Sequence, residues 1–197
     1  MKLQDARKDP YRKLAHEQGY RSRAAYKLKE LNQSYRIIGP GFYVLDLGCA
    51  PGGWTQMAVK LVGNQGKVMG IDLSYVEEIP GAHILRGDIE DENLVDEVMD
   101  YFERKVNAVI CDLSPKVSGN WSVDHAKQIS LNYDCTKIMD KVLAHKGNAV
   151  FKVFDGEYSM EFKDYVKKKF ARINLTKPKA SRKQSSELYY VCLGFIG

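Results

Sequence analysis

The chain has 197 residues, 44% of them hydrophobic and 28% charged, with a net charge of +5. That length suits one domain with an ordinary core, and no run approaches the roughly 18 apolar residues that a membrane-spanning helix needs. Residues 1–20 are basic and polar, without the apolar stretch of a secretory leader, and the four cysteines form neither a CxxC pair nor a zinc-like spacing with histidine. The expectation is a cytoplasmic, monomeric protein with no metal, whose Cys49, Cys111 and Cys192 are small buried hydrophobes.

The modest net charge conceals a segregation. Residues 1–29 carry +6 and residues 163–183 carry +8, which leaves −9 on the rest. Two basic runs flanking an acidic body predict a polyanion-binding face, nucleic acid above all.

In chain order, a helix starts at Asp9-Pro10, and Ser22 is a candidate cap for a second one whose Ala25, Leu28 and Leu31 form one apolar stripe. Gly39-Pro40-Gly41 breaks the chain. Residues 42–47 read as a buried strand, 54–62 as a helix, and 67–72 as a second strand after the Gly63–Gly66 turn. A short strand over 83–86, a helix over 94–102 and a strand over 107–112 follow. A long helix over 123–144, a turn at 145–148 and a strand over 149–154 come next. A helix over 158–170 and strands over 172–176 and 188–196 complete the chain. Strands alternating with helices predict parallel βαβ units, with helices on both faces of one sheet. Residues 1–38 are then a basic helical extension and 42–197 the core.

The first strand runs into a glycine turn, Asp46-Leu47-Gly48-Cys49-Ala50-Pro51-Gly52-Gly53-Trp54. Its spacing is not that of a dinucleotide fingerprint, no Walker lysine follows, and Pro51 removes an N–H that a phosphate cradle would use. The turn suits a nucleoside with a zwitterionic tail better than a pyrophosphate. In such sheets ligands bind beyond the carboxyl ends of the strands. There Asp72 could accept ribose hydroxyls, Asp88 could meet an adenine amino group, Asp112 would face the reaction centre, and Asp46 could hold an ammonium directly or through the loop. Each could instead cap the following helix, but four carboxylates at one sheet edge favour a binding constellation.

Five stretches in order make the sequence recognisable: Ser22–Leu28, Asp46–Trp54, Asp112-Leu113-Ser114-Pro115, Phe151-Lys152-Val153-Phe154 and Ser185–Tyr189. Together they resemble the FtsJ/RrmJ family of ribosomal RNA 2′-O-ribose methyltransferases. The resemblance implies an α/β, Rossmann-like class I methyltransferase fold: a mostly parallel seven-stranded sheet with an antiparallel last strand. It implies S-adenosylmethionine as donor, with Asp46, Gly48, Gly52, Gly53, Trp54, Asp72, Asp88 and Asp112 toward the cofactor. It also implies a catalytic set of Lys27, Asp112, Lys152 and Glu187, and a uridine of large-subunit ribosomal RNA near the peptidyl-transferase centre as target. In that set Glu187 would orient Lys152, and Lys27 could also hold a phosphate.

The chemistry needs a ribose oxygen aligned with the methyl group and one proton managed. Lys152 could take that proton, or stay cationic and stabilise the forming alkoxide; both roles stay open. Trp54 could wall the pocket or pack its helix, and Trp121, expected at the mouth of the site, could stack on an unpaired base or pack its loop. Competing readings are a methyltransferase of transfer RNA or of cap structures, and a relative that binds RNA without catalysis; a broken catalytic set would mark the latter, and this set is complete.

Overall fold

The computed structural model describes residues 9–182 and 184–197. The expected contributions of Lys2, Arg7, Lys8 and Lys183 to the basic runs lie outside the described residues.

Seven strands form one sheet: β1 Tyr43–Leu47, β2 Lys67–Asp72, β3 Ala82–Arg86, β4 Val106–Cys111, β5 Leu143–Phe154, β6 Phe170–Thr176 and β7 Glu187–Phe195. Their order is β3-β2-β1-β4-β5-β7-β6. β1 to β5 pair in parallel, and β7 runs antiparallel between β5 and β6. This is the mostly parallel sheet with a reversed last strand that the sequence predicts.

Among the described residues six α-helices accompany it: α1 Pro10–Glu17, α2 Ala24–Tyr35, α3 Gly53–Val62, α4 Leu94–Phe102, α5 Trp121–Val142 and α6 Ser159–Lys167. The alternation of side chains along each strand divides the sheet between two cores. Leu45, Leu47, Val109, Cys111 and Phe151 pack with Val98, Met139 and Phe162 of α4, α5 and α6. Val44, Ala108, Ile110, Val150 and Val191 pack with Leu28 and Leu31 of α2 and Met57 of α3. α2 is thus laid across the sheet as part of a core. All four cysteines are buried and free, and no helix among the described residues is long and apolar enough to cross a membrane.

Two local expectations need correction. Ser22 does not cap α2: backbone already in the right-handed helical region at Arg23 precedes Ala24, with no side-chain cap. The Ser22 hydroxyl instead lies against Gly53, where an added Cβ would come within 2.2 Å of it. The turn predicted at 145–148 is an irregular stretch of β5. Leu143 pairs with Val106 and Asn148 with Ala108, so the register shifts between them. Lys146 takes a positive φ of 64° there, which lets the chain bulge without leaving the sheet. Because β5 therefore starts at Leu143, α5 ends at Val142, two residues earlier than the pattern suggests.

Phe162 is fully buried, edge-on to Phe151 at 5.5 Å and to Tyr133 at 5.2 Å between ring centroids. Phe162→Ala should therefore cost about 3–5 kcal/mol in urea unfolding, as for other buried aromatics.

Candidate active site

Strand alternation also explains how the charged residues meet. Asp112 follows Ile110 by two residues, Lys152 follows Val150 by two, and Glu187 and Tyr189 precede Val191 at steps of two. All four therefore point to the face that carries α2, and α2 crosses that face with Lys27 inward. Lys27 is 7% exposed and Lys152 4%, so each charge needs a partner.

The partners are specific. Lys27 Nζ lies 2.8 Å from a Glu187 carboxylate oxygen and donates to the Tyr189 hydroxyl at 3.1 Å. Lys152 Nζ donates to the Asp112 carbonyl oxygen at 2.6 Å and lies 3.2 Å from the Asp112 carboxylate. The Tyr189 hydroxyl donates to that same carboxylate at 3.1 Å, joining the two ion pairs into one network. Glu187 thus pairs with Lys27 rather than with Lys152, and reaches Lys152 through its field and through Lys27, Tyr189 and Asp112. Burial pushes the Glu187 carboxyl up, but Lys27, Lys152 and the Ser185 hydroxyl outweigh it and hold the group below its ordinary value. Burial, with Asp112 and Glu187 beside it, holds the Tyr189 phenol well above its ordinary value.

Behind the network, Gln128 and Asn132 of α5 both donate to the Lys152 carbonyl oxygen at 2.9 Å. Neither residue, nor Tyr189, stood out as functional in the sequence. The signal was present for two of them: amides one helical turn apart on a buried face shared with Ile129, Cys135, Ile138 and Met139.

A cavity of about 1000 Å³ opens in front of Lys152 and Asp112 and runs along the strand ends to Asp72 and Asp88. Gly48, Gly53 and Trp54 line it too. Gly48 has a φ of +78°, and a Cβ there would meet Leu113 at 2.4 Å, so the turn demands glycine. Gly52 has a φ of +113° and lies behind the wall, against Ile79 and Arg21. Asp72 accepts the N–H groups of Ala50 at 2.9 Å and Ser74 at 2.8 Å, which fixes both its carboxylate and the glycine turn. Asp88 is exposed and accepts the N–H of Glu90. Trp54 is 2% exposed and does both things proposed for it, lining the cavity and packing in the α2–α3 core.

None of the four carboxylates caps a helix: the caps of α3, α4 and α5 are Gly52, Asn93 and Asn120. Asp46, however, is fully buried beneath the turn rather than on the cavity wall. One of its oxygens accepts the Thr55 hydroxyl at 2.6 Å, and the other has no partner.

A second hollow of about 410 Å³, lined by Arg23, Lys27, Arg182, Gln184, Ser185 and Glu187, adjoins the network. The basic segments meet here. Asp9 pairs with Arg23 and, at 3.9 Å, with Arg182. Glu30 accepts the N–H groups of Lys179 and Ala180. The second segment is nevertheless split, contrary to the expectation of one basic run. Thr176 pairs with Tyr189 beside the site, whereas Phe170 pairs with Phe195 at the far end of β6. Lys167 and Lys168 therefore lie beyond the far end of β6, about 20 Å along the strand from Thr176, and Arg172 about 13 Å along it. Arg21 is also occupied, donating to the Glu77 and Glu78 carbonyls at 2.7 Å.

Burial pushes the Asp46 carboxyl up to about 7, the charges of Asp112 and Asp72 adding to it against the Thr55 hydrogen bond. Its ordinary value is 3.8, so as pH rises the unfolded chain ionises first. The contribution of Asp46 to stability then falls between about pH 4 and pH 7 and is level above. Asp46→Asn lacks that slope. Its stability relative to the unaltered chain should climb by up to about 4 kcal/mol between about pH 4 and pH 8, measured by urea unfolding.

The chain matches the family described as FtsJ-like methyltransferase over residues 20–195. It is 95% identical to a Nitrosopumilus maritimus protein named ribosomal RNA large subunit methyltransferase E, over the full length of both. It is 65% identical, again over both full lengths, to the protein of the same name from Cenarchaeum symbiosum. A crystal structure from Plasmodium falciparum, described as a ribosomal RNA methyltransferase, superposes with a TM-score of 0.82 at 30% identity, covering 90% of this chain and all of that one. The chain belongs to the FtsJ-like methyltransferase family.

Proposed function

We propose that this protein transfers a methyl group from S-adenosylmethionine to a ribose 2′-hydroxyl of large-subunit ribosomal RNA, at a uridine near the peptidyl-transferase centre. The observation that carries the reading is the buried Lys27–Glu187 and Lys152–Asp112 network opening onto a carboxylate-edged cavity. The names of its relatives support the ribosomal RNA substrate. In this reading α2 joins residues 42–197 in the catalytic core through Lys27, and the protein acts as a monomer in the cytoplasm.

The residues present suit the cofactor. The turn at Gly48–Ala50 offers close approach to backbone, Asp72 has lone pairs left for ribose hydroxyls, Asp88 is free to accept an adenine amino group, and Asp112 suits a cationic amino-acid tail. Bound S-adenosylmethionine supplies an electrophilic methyl on sulfonium sulfur. Gly52, Gly53 and Trp54 shape the wall and Asp46 supports the turn from beneath through Thr55.

Lys152 meets the ribose oxygen. Its amine already donates to the Asp112 carbonyl and lies against the Asp112 carboxylate, and it also lines the cavity. There it offers either an N–H to the developing alkoxide or a lone pair to the departing proton. A rate of methyl transfer that rises with pH through one ionisation assigns the lone pair; a flat profile assigns the N–H. Lys27 and Glu187 hold Tyr189, and through it Asp112, while Arg23 and Arg182 receive the neighbouring phosphate.

The test is transfer of labelled methyl into large ribosomal subunits, followed by nuclease digestion. Label in 2′-O-methyluridine is expected, and label confined to bases or protein would overturn the reading. Lys152→Ala should abolish turnover while cofactor affinity by calorimetry stays within about threefold; parallel collapse of both would make Lys152 a binding residue. RNA affinity should fall steeply and log-linearly with salt as phosphate counterions are released, and a flat response would remove the basic face from the reading.

A further inference from the structure

Trp121 is 49% exposed although it opens a long, well-packed helix. Its ring is not loose. It lies 13° from parallel with His125 at 6.1 Å and 5.7 Å from Phe154. His125 in turn stacks on Tyr158 at 5.6 Å and 14°. Isolated aromatic pairs favour edge-on or offset contacts, so a run of near-parallel rings ending in a half-open indole presents a flat apolar face to solvent.

Two features hold this face in place. The Tyr158 N–H donates to His125 Nε2 at 3.0 Å, which requires that nitrogen to be unprotonated. Gly156 lies beneath the imidazole, where an added Cβ would come within 2.8 Å of the ring. Burial lowers the His125 pKa against the pull of Asp155 and Glu157, so the ring is neutral. Those same two carboxylates repel a phosphodiester and leave the face suited to a base.

The platform shares its helix with the amides behind the site, though its four rings stand outside the main cavity. Trp121, His125, Gln128 and Asn132 fall on one stripe of α5, and the two amides hold the Lys152 carbonyl. Seven residues separate Trp121 from Gln128, about 10 Å along the helix. Phe154 follows Lys152 by two residues on β5. The exposed Lys116 and Lys127 stand between, on the wall of the main cavity.

We propose that Trp121, backed by His125, Phe154 and Tyr158, is a stacking platform for an unpaired base of the RNA strand adjoining the target ribose. Phosphates of that strand run past Lys116 and Lys127, and the base turns onto the indole. The inference rests on the RNA reading above and selects single-stranded or unstacked substrate over regular duplex.

The chain has two tryptophans, and Trp54 is buried, so quenching of the exposed fluorescence reports Trp121. A short single-stranded uridine oligonucleotide should quench it, and a duplex RNA of the same length should not. Trp121→Ala should raise the KM for RNA about tenfold, the scale of one lost base–aromatic stack. The KM for S-adenosylmethionine and kcat should stay the same. Trp121→Phe should recover most of the loss, and Gly156→Ala, which displaces the His125 ring, should weaken RNA binding with Trp121 intact. Equal quenching by single strand and duplex, or an RNA KM for Trp121→Ala within about twofold of the unaltered chain, would overturn the platform. Quenching needs no turnover, so absence of methyl transfer by the unaltered protein would defeat the functional reading without deciding this one.

Discussion

A sheet covered on both faces leaves its charged side chains one place to stand, the carboxyl ends of its strands. Everything functional in this molecule follows from how that constraint is met. At or near the strand ends that face the cavity stand Asp72, Asp112 and Lys152. Because neighbouring side chains alternate, those that share parity with Val150 and Ile110 are directed to the same face. α2, packed across that face by Ala25, Leu28 and Leu31, brings Lys27 to them.

Four ionisable groups in so small a volume are tolerated because each has a partner within hydrogen-bonding distance. The Tyr189 hydroxyl is the economical element: accepting from Lys27 and donating to Asp112, it couples two ion pairs that do not touch. Asp46 shows the other solution. With one hydrogen bond and full burial, its carboxyl rises toward neutrality instead of finding a cation.

Much of this was legible in the sequence, for a physical reason. Strand-end residues such as Asp112 and Lys152 are fixed by periodicity and by the break in apolar character that follows them, and both are local properties of the chain. The seven-stranded sheet with its reversed last strand and the membership of Lys27 in the site came through resemblance over widely spaced stretches. What could not be read was set by three-dimensional packing. Glu187 chooses Lys27 over Lys152 because of where α2 lies. Ser22 loses its capping role because Gly53 sits against it. The second basic run is divided because β6, an edge strand, carries the chain from one end of the strands to the other between Phe170 and Thr176. Charge counted along a sequence does not know that a strand separates its two ends.

The double amide clasp on the Lys152 carbonyl limits how relatives of this chain can diverge. Gln128 and Asn132 are one turn apart on α5, so sliding the helix by a residue would strip both bonds from a buried oxygen at once. The loop between Asp112 and Trp121 can therefore vary in composition, but its span is pinned between a strand end and a helix that cannot move lengthwise. Drift in the sequence of that loop would reshape the cavity wall at residues 113–116 while Lys152 stays in register.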